Sequence, residues 1–319
     1  MYKSIRYYIT IALVLLFIAC EKEIEFSPKE QSPFLVINSY LSPDSLLKVG
    51  VSHSVSIVEK LSNNIVGDAE VKVYENEKLL ETLKYDAVSH QYIGMLKPSV
   101  GRKYKTTVAK DGFSSIEATS VIEPAPEIIK CSIVTDVLNT SHANATITFK
   151  DPSGVRNFYR LVVANVDEFE EKPDWAKNYD WTGGYWIGND YINYLVGADS
   201  TDPNLNGSSA AGFFDDVPKN IYNIFNDDLI DGKEYSLTFS YSLSNHPEAN
   251  NRTIIYLQAI SEDLHQYFRT LSAQYYFGED PLLEPIQVYS NVKNGGGILG
   301  SYNANKLKIN VDDLVIVQE

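Results

Sequence analysis

The chain has 319 residues, 44% of them hydrophobic, with a formal net charge of -15 and a sequence pI near 4.8. This acidity excludes nucleic acid as the expected partner, because phosphate binding needs a basic face, and it also disfavours an anionic membrane surface. The two cysteines are too few for a disulfide-based scaffold.

Residues 1–19 have the layout of a secretory signal peptide. A short start with Lys3 and Arg6 precedes a mainly apolar run that is about half the length of a membrane-spanning helix. The stretch FIACEKEIEF then places Cys20 directly after a small residue, which resembles a bacterial lipoprotein signal. We predict that residues 1–19 are removed and that Cys20 carries a diacylglycerol as the new N-terminus. An uncleaved anchor with an unmodified cysteine is the alternative, and no cofactor other than the covalent lipid is predicted.

A charged tether is predicted to precede the first folded domain. Residues 20–33 contain prolines and lack apolar periodicity, so they are predicted to form an acidic tether. Residues 34–122 consist of short alternating segments separated by turn signals, for example AEVKVYEN and YKTTVAKDG. Strands at this spacing, with no helix between them, predict an antiparallel β-sandwich of the immunoglobulin or transthyretin type.

The second half of the chain predicts another β-sandwich. The stretch EPAPE, residues 123–127, is predicted to be a stiff linker because proline cannot donate to a strand ladder. Residues 128–319 then predict a sandwich with an insertion over about 168–225, where the strand pattern fails, and a helix over about 261–277 capped by Ser261. The apolar stripe of this helix, expected to pack in the core, consists of Leu264, Phe268, Leu271 and Tyr275. The predicted fold class is therefore mainly β, with two antiparallel β-sandwich domains.

The insertion holds all three tryptophans of the chain, within the stretch DWAKNYDWTGGYW. Trp and Tyr side chains dominate interface hot spots, and a flat ring can also stack on a sugar or a peptide. Alternatively, the segment packs its own rings into a satellite core, and the sequence leaves both interpretations open. The candidate residues for ligand or partner binding are Trp175, Tyr179, Trp181, Tyr185 and Trp186.

Three other motifs give weaker signals. The stretch DPNLNG begins like a calcium loop, with Asp202, Asn204 and Asn206 as the oxygen ligands. Phe213 occupies the position of the bidentate acid, so an Asn-rich turn is favoured over a metal site. The glycines of NGGGILG do not match a phosphate loop, and close backbone packing or a bulge is expected there. Cys131, in the alternating stretch IIKCSIV, is expected to be a small buried thiol.

The sequence contains no recognisable catalytic set. Its five histidines include no pair at metal-ligand spacing, and no GxSxG elbow occurs. We therefore predict that the protein is not an enzyme. Two carboxylates that meet only in space, as in a hydrolase, are the open alternative.

Several stretches together resemble one known family. They are VINSYLSPDS, FKDPSGVRNFYRL and, most specifically, EPIQVYSNVKNGGGILGSYN with Pro285, Asn291, Gly295 and Gly297. Over essentially the whole mature chain, they resemble a Bacteroidota lipoprotein family known as domain of unknown function 4249. The resemblance implies an outer-membrane or cell-surface lipoprotein, often encoded beside a TonB-dependent transporter, and it implies no catalytic residues. The acidic residues after Cys20 also resemble the signal that exports such lipoproteins to the outer face.

The leading hypothesis is a lipid-anchored lipoprotein of the outer membrane that faces the cell exterior. It would act as a non-enzymatic accessory or binding subunit. The expected partners are the outer membrane, through the lipid, and an outer-membrane β-barrel such as a TonB-dependent transporter. A stand-alone surface protein that binds glycans or peptides is one alternative, and a hydrolase with an unrecognised carboxylate pair is the other.

Overall fold

Eighteen β-strands and two helices are assigned in the part of the chain that the computed structural model describes. The described residues are 32–55, 64–135, 141–174, 176, 184–195, 200, 202–206, 220–277, 286–311 and 315–316. The strands are β1 (Leu35–Leu41), β2 (Lys48–His53), β3 (Glu70–Glu75), β4 (Lys78–Thr82), β5 (Lys84–Asp86), β6 (Gln91–Ile93), β7 (Lys103–Ala109), β8 (Ile116–Val121), β9 (Glu127–Thr135), β10 (His142–Lys150), β11 (Phe158–Glu168), β12 (Gly184–Ile187), β13 (Asp190–Leu195), β14 (Ile224–Asn226), β15 (Glu234–Ser242), β16 (Asn250–Ile260), β17 (Gly296–Asn310) and β18 (Val315–Ile316). The helices are α1 (Pro203–Asn206) and α2 (Glu262–Phe277).

The strands form three sheets. The largest runs in the order β12-β13-β11-β16-β17-β1-β2-β6-β5, and β14 also pairs with β11. The two four-stranded sheets are β4-β3-β7-β8 and β15-β10-β9-β18. The predicted mainly β fold of sandwich type is confirmed. Two pairings depart from the antiparallel prediction, because β1 pairs with β17 and β18 pairs with β9 in parallel.

Each small sheet packs against a different part of the large sheet. Inward-facing residues alternate in β3 and β7, where Val71, Val73, Tyr104 and Val108 are fully buried, as the period-two pattern predicts. They share one core with residues of β1 and β2. A second core forms where β10 and β15 face one side of β11 and β16. Two sandwiches therefore share a single large sheet.

Strand β17 belongs to both sandwiches. Its residues 296–301 pair with β1, whereas its residues 302–310 pair with β16. Residues Pro33–Glu319 accordingly form one compact unit. The stretch before β9 thus connects two sandwiches that also share a strand. A division of the chain into two domains at residues 123–127 stays a prediction.

Glycines permit the close approach of β17 to β1. Gly297 has a φ of 93°, and a Cβ at this position would overlap the carbonyl oxygen of Ile37. A Cβ at Gly295 would lie 2.5 Å from the carbonyl oxygen of Leu35. The glycines of NGGGILG therefore serve close backbone packing, in agreement with the sequence prediction.

Asn291, from the same stretch of family resemblance, holds three elements together. Its Nδ2 donates to the carbonyl oxygens of Thr119 and Leu299 at 3.1 and 3.0 Å, and to Asp263 Oδ2 at 3.1 Å. Its Oδ1 accepts a hydrogen bond from the Leu299 backbone N–H at 3.0 Å. The amide thus links β8, α2 and β17, which indicates a structural role.

Helix α2 confirms the predicted helix. Ser261 caps it, since the Ser261 hydroxyl oxygen accepts from the Leu264 N–H at 3.3 Å and from the Ser301 N–H of β17 at 3.2 Å. Leu264 and Phe268 are buried as expected, but Tyr275 is 71% exposed, so the predicted stripe reaches the core only through its first turns. Among the described residues, no helix is both long enough and apolar enough to span a membrane.

The described part of the predicted insertion contains regular structure. Strand β13 pairs with β11 over six residue pairs, and β12 pairs with β13, so these two strands form one edge of the large sheet. The strand pattern fails in the sequence here because glycine and polar residues interrupt the apolar alternation. Hydrogen bonding to β11 stabilises β13 as a strand, and the local sequence pattern does not encode that pairing.

Candidate functional site

A cavity opens on the face of the large sheet that carries α2. Cross-strand register places Arg160 of β11 directly opposite Gln258 of β16. Because alternate residues of a strand share a face, the same face continues through Tyr302 of β17. Tyr40 of β1 extends it further. The opposite face of β11 and β16 is occupied by the second core and that of β1 by the first, so this face is where a ligand can enter.

The cavity has a volume of about 380 Å³. Its aromatic lining residues are Tyr40, Tyr194, Tyr222, Phe268 and Tyr302. The polar lining residues are Arg160, Asn223 and Gln258, and the aliphatic ones are Leu161, Val162, Ile221 and Leu264. Apolar walls with a few placed polar groups are typical of small-ligand sites, whose volumes run from about 300 to 1,000 Å³.

Arg160 is the charged group of the cavity. Its guanidinium carbon lies 4.7 Å from the centre of the Phe268 ring and 6.0 Å from that of Tyr222. Its Nε donates to the backbone carbonyl of Tyr222 at 3.2 Å. Within the described part of the chain, no carboxylate forms an ion pair with Arg160. Burial lowers the pKa of Arg160, but an arginine remains protonated in a folded protein.

Gln258 supplies the second polar group of the cavity. Its side chain is only 7% exposed, and its Oε1 has no hydrogen-bond partner among the described residues. An unmade hydrogen bond at a buried amide costs about 1–3 kcal/mol. A ligand that donates a hydrogen bond to Gln258 Oε1 would satisfy this buried acceptor.

Tyr185, a predicted contact residue, lies at the rim of this face. Its hydroxyl donates to the hydroxyl of Tyr194 at 3.1 Å, and the two ring centres are 5.8 Å apart. Both rings remain substantially exposed, at 43% and 41%. Burial raises the pKa of Tyr194 to about 12. Tyr194 therefore stays neutral, and the tyrosine pair presents ring faces and hydroxyls to solvent.

Trp186, the next predicted contact residue, points to the opposite face of β12. Its ring lies 5.6 Å from the Phe169 ring and 5.4 Å from the Tyr191 ring, and Lys172 Nζ is 4.7 Å from its centre. This packing is that of a satellite aromatic cluster. Neighbouring residues of a strand point to opposite faces, so Tyr185 and Trp186 do not form one surface.

Four of the predicted site residues lie outside the described residues. They are Cys20, Trp175, Tyr179 and Trp181. Their roles in lipid attachment and in ligand or partner contact stay predictions.

The weak calcium candidate has the geometry of a capped turn. Asp202 Oδ1 accepts from the backbone N–H of Asn204 at 2.9 Å and from the Tyr235 hydroxyl at 2.7 Å. These bonds cap the single-turn helix α1, which contains Asn204 and Asn206. The carboxylate is thus engaged in local structure.

A cluster of three carboxylates lies elsewhere. Oxygen atoms of Asp151, Asp227 and Asp231 all lie within 4.8 Å of one another. Asp151 accepts from the Tyr159 hydroxyl at 2.5 Å and from the Gly232 N–H at 2.9 Å, and each of the other two accepts a backbone N–H at 2.7 Å. Burial and the charge of Asp151 raise the pKa of Asp227. The cluster joins two loops and lines neither cavity.

A second cavity of about 270 Å³ lies between β8 and the start of α2. Glu123, Glu262, Asp263 and Arg156 are among its lining residues. Asp263 is engaged with the Tyr289 hydroxyl at 2.5 Å and with Asn291, and Arg156 pairs with Asp228 at 3.5 Å. Glu262 and Asp263 lie in the first turn of α2, where their negative charges stabilise the positive end of the helix dipole. Structural roles account for most of this polar lining.

Cys131 lies half-buried on β9, and it is a free thiol. Burial raises its pKa, which lowers the fraction of nucleophilic thiolate. The arrangement fits the predicted small core thiol rather than a reactive cysteine.

Sequence reasoning missed Arg160, Gln258, Tyr40 and Tyr194 as site residues. Arg160 carried a detectable signal, because it interrupts the otherwise apolar stretch FYRLVVANV. Charged residues are rarely buried without a partner, so such an arginine marks a position to inspect. The other three residues become neighbours only through the order of strands in the sheet.

Comparisons with known proteins give a family match over most of the chain. The sequence model of a family described as domain of unknown function (DUF4249) matches residues 21–308. No curated protein matches the chain. A solved structure from Corynebacterium diphtheriae, described as a membrane-anchored protein, is similar at 9% identity and a TM-score of 0.21, covering 73% of this chain and 55% of that one. A glycosyl hydrolase family 2 member from Bacteroides cellulosilyticus is similar at 11% identity and a TM-score of 0.18, covering 72% of this chain and 28% of that one.

Proposed function

We propose that this chain, which belongs to the DUF4249 family, is a lipoprotein of the Bacteroidota outer membrane that faces the cell exterior. It is anchored through a diacylglycerol on Cys20 and acts as a non-enzymatic binding subunit of an outer-membrane complex. A TonB-dependent transporter is the partner that the family resemblance favours. The anchor is supported by the sequence layout around Cys20, and the placement by the acidic residues that follow it.

The observation that carries the binding role is an exposed apolar patch at the β12–β13 edge of the large sheet. This edge patch consists of Tyr185, Ile187 and Tyr194, of which Ile187 is the most exposed at 56%. All three side chains lie on the sheet face that carries the cavity. Tyrosine rings are enriched at protein interfaces because they combine a large apolar area with a hydroxyl that hydrogen bonds. The patch therefore suits contact with a partner protein.

The engaged carboxylates support a non-enzymatic role. In the described part of the chain, the three clustered aspartates and Asp263 all accept structural hydrogen bonds. These bonds give each of the four carboxylates a role in holding loops and α2 in place. A hydrolase is thus the weakest of the three hypotheses.

A stand-alone surface protein that binds glycans or peptides is the second candidate function. The cavity beside α2 favours it, because its aromatic walls and paired polar groups suit a small ligand. The two functions are compatible, since a binding subunit can deliver a ligand to a transporter.

Loss of the anchor tests the localisation. We expect Cys20→Ala to remove the lipid and to shift the protein from the membrane fraction to the soluble fraction, because one residue carries the whole acyl anchor. Cys131→Ala is the matched control and retains the lipid, since Cys131 lies in β9. Mass spectrometry of the mature N-terminus and membrane fractionation measure both effects. An unmodified Cys20 in the wild-type protein refutes the anchor.

Copurification tests the partner. We expect the full-length protein, expressed at native abundance and solubilised in mild detergent, to elute with an outer-membrane β-barrel. Replacing Tyr185 and Ile187 together by serine removes apolar contacts of the edge patch, and we expect roughly tenfold less copurified partner, as for the loss of interface hot-spot residues.

The control for copurification lies at the other edge of the large sheet. Val88 and Met95, beside β5 and β6, are also strongly exposed apolar residues. Replacing these two by serine also removes two exposed apolar side chains and leaves the edge patch intact. A wild-type chain that elutes alone under these conditions rules out the subunit role, and equal losses in both double variants rule out the edge patch.

A further inference from the structure

We propose that the cavity lined by Arg160 and Gln258 binds the C-terminal carboxylate end of a peptide or an N-acylated amino acid with an aromatic or branched side chain. The site deepens the second candidate function, ligand binding at the cell surface, and rests on it. It does not depend on a transporter partner.

The buried charge on Arg160 requires an anionic partner. Burying a guanidinium is costly unless an anion accompanies it, and the described residues supply none. The contacts to the Phe268 ring and to the Tyr222 carbonyl use the ring face and Nε only. The terminal nitrogens Nη1 and Nη2 have no hydrogen-bond partner among the described residues. Their planar fork matches the two oxygens of a carboxylate.

Among the described residues, no group near Arg160 competes for this role. The titratable residues that influence it most are Tyr40, Tyr222, Tyr302 and Tyr194. Burial raises the pKa of Tyr40 and of Tyr194 to about 12, so both are neutral hydroxyls at physiological pH. The nearby cation Lys306 is paired with Asp44. Within the part of the chain that the structure describes, the cavity therefore presents a positive charge that has no anionic partner.

Gln258 places a hydrogen-bond acceptor beside Arg160. It is paired with Arg160 across the β11–β16 ladder, where opposite residues have Cα atoms about 4.5 to 5.5 Å apart. Its buried Oε1 accepts no hydrogen bond from the described residues, so the site offers a hydrogen-bond acceptor beside the guanidinium fork of Arg160. A ligand that satisfies both groups carries a carboxylate and, close to it, an N–H donor. The last residue of a peptide and an N-acylated amino acid share this chemistry.

The walls of the cavity are rich in aromatic side chains. Tyr40, Tyr222, Phe268 and Tyr302 surround the polar pair with aromatic surface. The Tyr222 and Phe268 rings are stacked, with centres 4.6 Å apart, which makes a rigid flat wall. Such a wall accepts another ring or a branched aliphatic side chain. A volume of about 380 Å³ is enough for one such residue and part of the preceding one.

Calorimetric titration of the full-length mature protein in mild detergent tests the site with matched probes. N-acetyl-L-phenylalanine carries all three recognised features, its primary amide lacks the carboxylate, and 3-phenylpropionate lacks the N–H. We expect the amide to bind at least about tenfold more weakly than the acid, because a charge-assisted bidentate pair is lost. We expect 3-phenylpropionate to bind several-fold more weakly, because Gln258 stays unpaired.

Protein variants provide the second arm. Arg160→Gln is expected to bind N-acetyl-L-phenylalanine as weakly as the wild type binds its primary amide. Gln258→Leu is expected to bind N-acetyl-L-phenylalanine no more tightly than 3-phenylpropionate. Arg156→Gln is the matched control, since Arg156 also lies over a ring, that of Phe158 at 5.4 Å, but has Asp228 as its partner. It is expected to bind as the wild type does. Comparing the tripeptide Ala-Ala-Phe with N-acetyl-L-phenylalanine distinguishes a peptide end from a free acylated amino acid.

The ligand comparison keeps the proposal falsifiable even if a variant fails to fold. Equal affinity of the wild type for the acid and the amide overturns it, and so does an absence of detectable binding of the acid. Wild-type affinity in a folded Arg160→Gln variant also overturns it. These results concern the isolated chain, so they are separate from copurification, which tests the subunit role.

Discussion

Gly297→Ala is expected to destabilise the protein by about 4 kcal/mol or more, the largest effect of any single substitution that we predict. Two costs combine. The φ of 93° lies in a region that residues with a Cβ rarely adopt, which alone costs of order 1–3 kcal/mol. The added Cβ would also overlap the carbonyl oxygen of Ile37, which belongs to the backbone of the paired strand β1 and cannot rotate away.

A matched glycine separates these two costs. Gly112 has a φ of 83°, but a Cβ there would meet no atom within 4 Å, so Gly112→Ala carries only the backbone strain. We expect it to cost about 1 kcal/mol. Denaturant unfolding of both variants, with the slope compared to that of the wild type, measures the difference. Similar losses in the two variants would mean that β17 does not approach β1 as closely as the structure has it.

The pairing at Gly297 also shows where sequence reasoning reaches its limit. The strands around Val71 and Val73, and around Tyr104 and Val108, were predictable because burial on one face forces a local alternation. The parallel pairing of residues 36–41 with 296–301 was not, because it joins segments from opposite ends of the chain. No local pattern encodes that partnership. The glycines indicated a close approach, but not which strand would approach.

The same limit applies to the candidate site. The aromatic stretch was visible as a cluster in the sequence, but the strand period sends Tyr185 to the cavity face and Trp186 to the opposite face. Arg160 and Gln258 are 98 positions apart in the sequence and meet only because β11 pairs with β16. A site assembled from cross-strand neighbours depends on register, which is a tertiary property. Sequence reasoning therefore singled out Tyr185, which lies at the rim of the candidate site, and missed its polar centre.

His265 is expected to make the stability of the protein depend on pH between about 6.5 and 4. The ring is buried on α2 against Phe158, with ring centres 4.9 Å apart. Burial, reinforced by the positive charges of Arg269 and Arg156 and only partly opposed by Asp228, lowers its pKa from 6.5 to about 4. The folded state thus favours the neutral imidazole, whereas the unfolded chain is protonated near its ordinary pKa.

The direction of the effect follows from this difference. Above pH 6.5 the imidazole is neutral in both states, and the full stability is present. As the pH falls from 6.5 towards 4, the unfolded state takes up a proton that the folded state refuses, so the free energy of unfolding decreases. A depression of this size corresponds to a loss of up to about 3 kcal/mol, and the loss levels off below the folded-state pKa.

Comparison with a variant isolates this contribution from those of other titrating groups. Within the described part of the chain, His265 Nδ1 has no hydrogen-bond partner, so His265→Leu removes a buried polar atom and is expected to keep the stability at neutral pH. Its free energy of unfolding should fall less between pH 6.5 and 4 than that of the wild type, by up to about 3 kcal/mol. His142→Leu, at an exposed position of β10, serves as the control for replacing a histidine by leucine. Parallel curves for all three proteins would show that His265 is hydrated in the folded state and that α2 packs less tightly on the sheet.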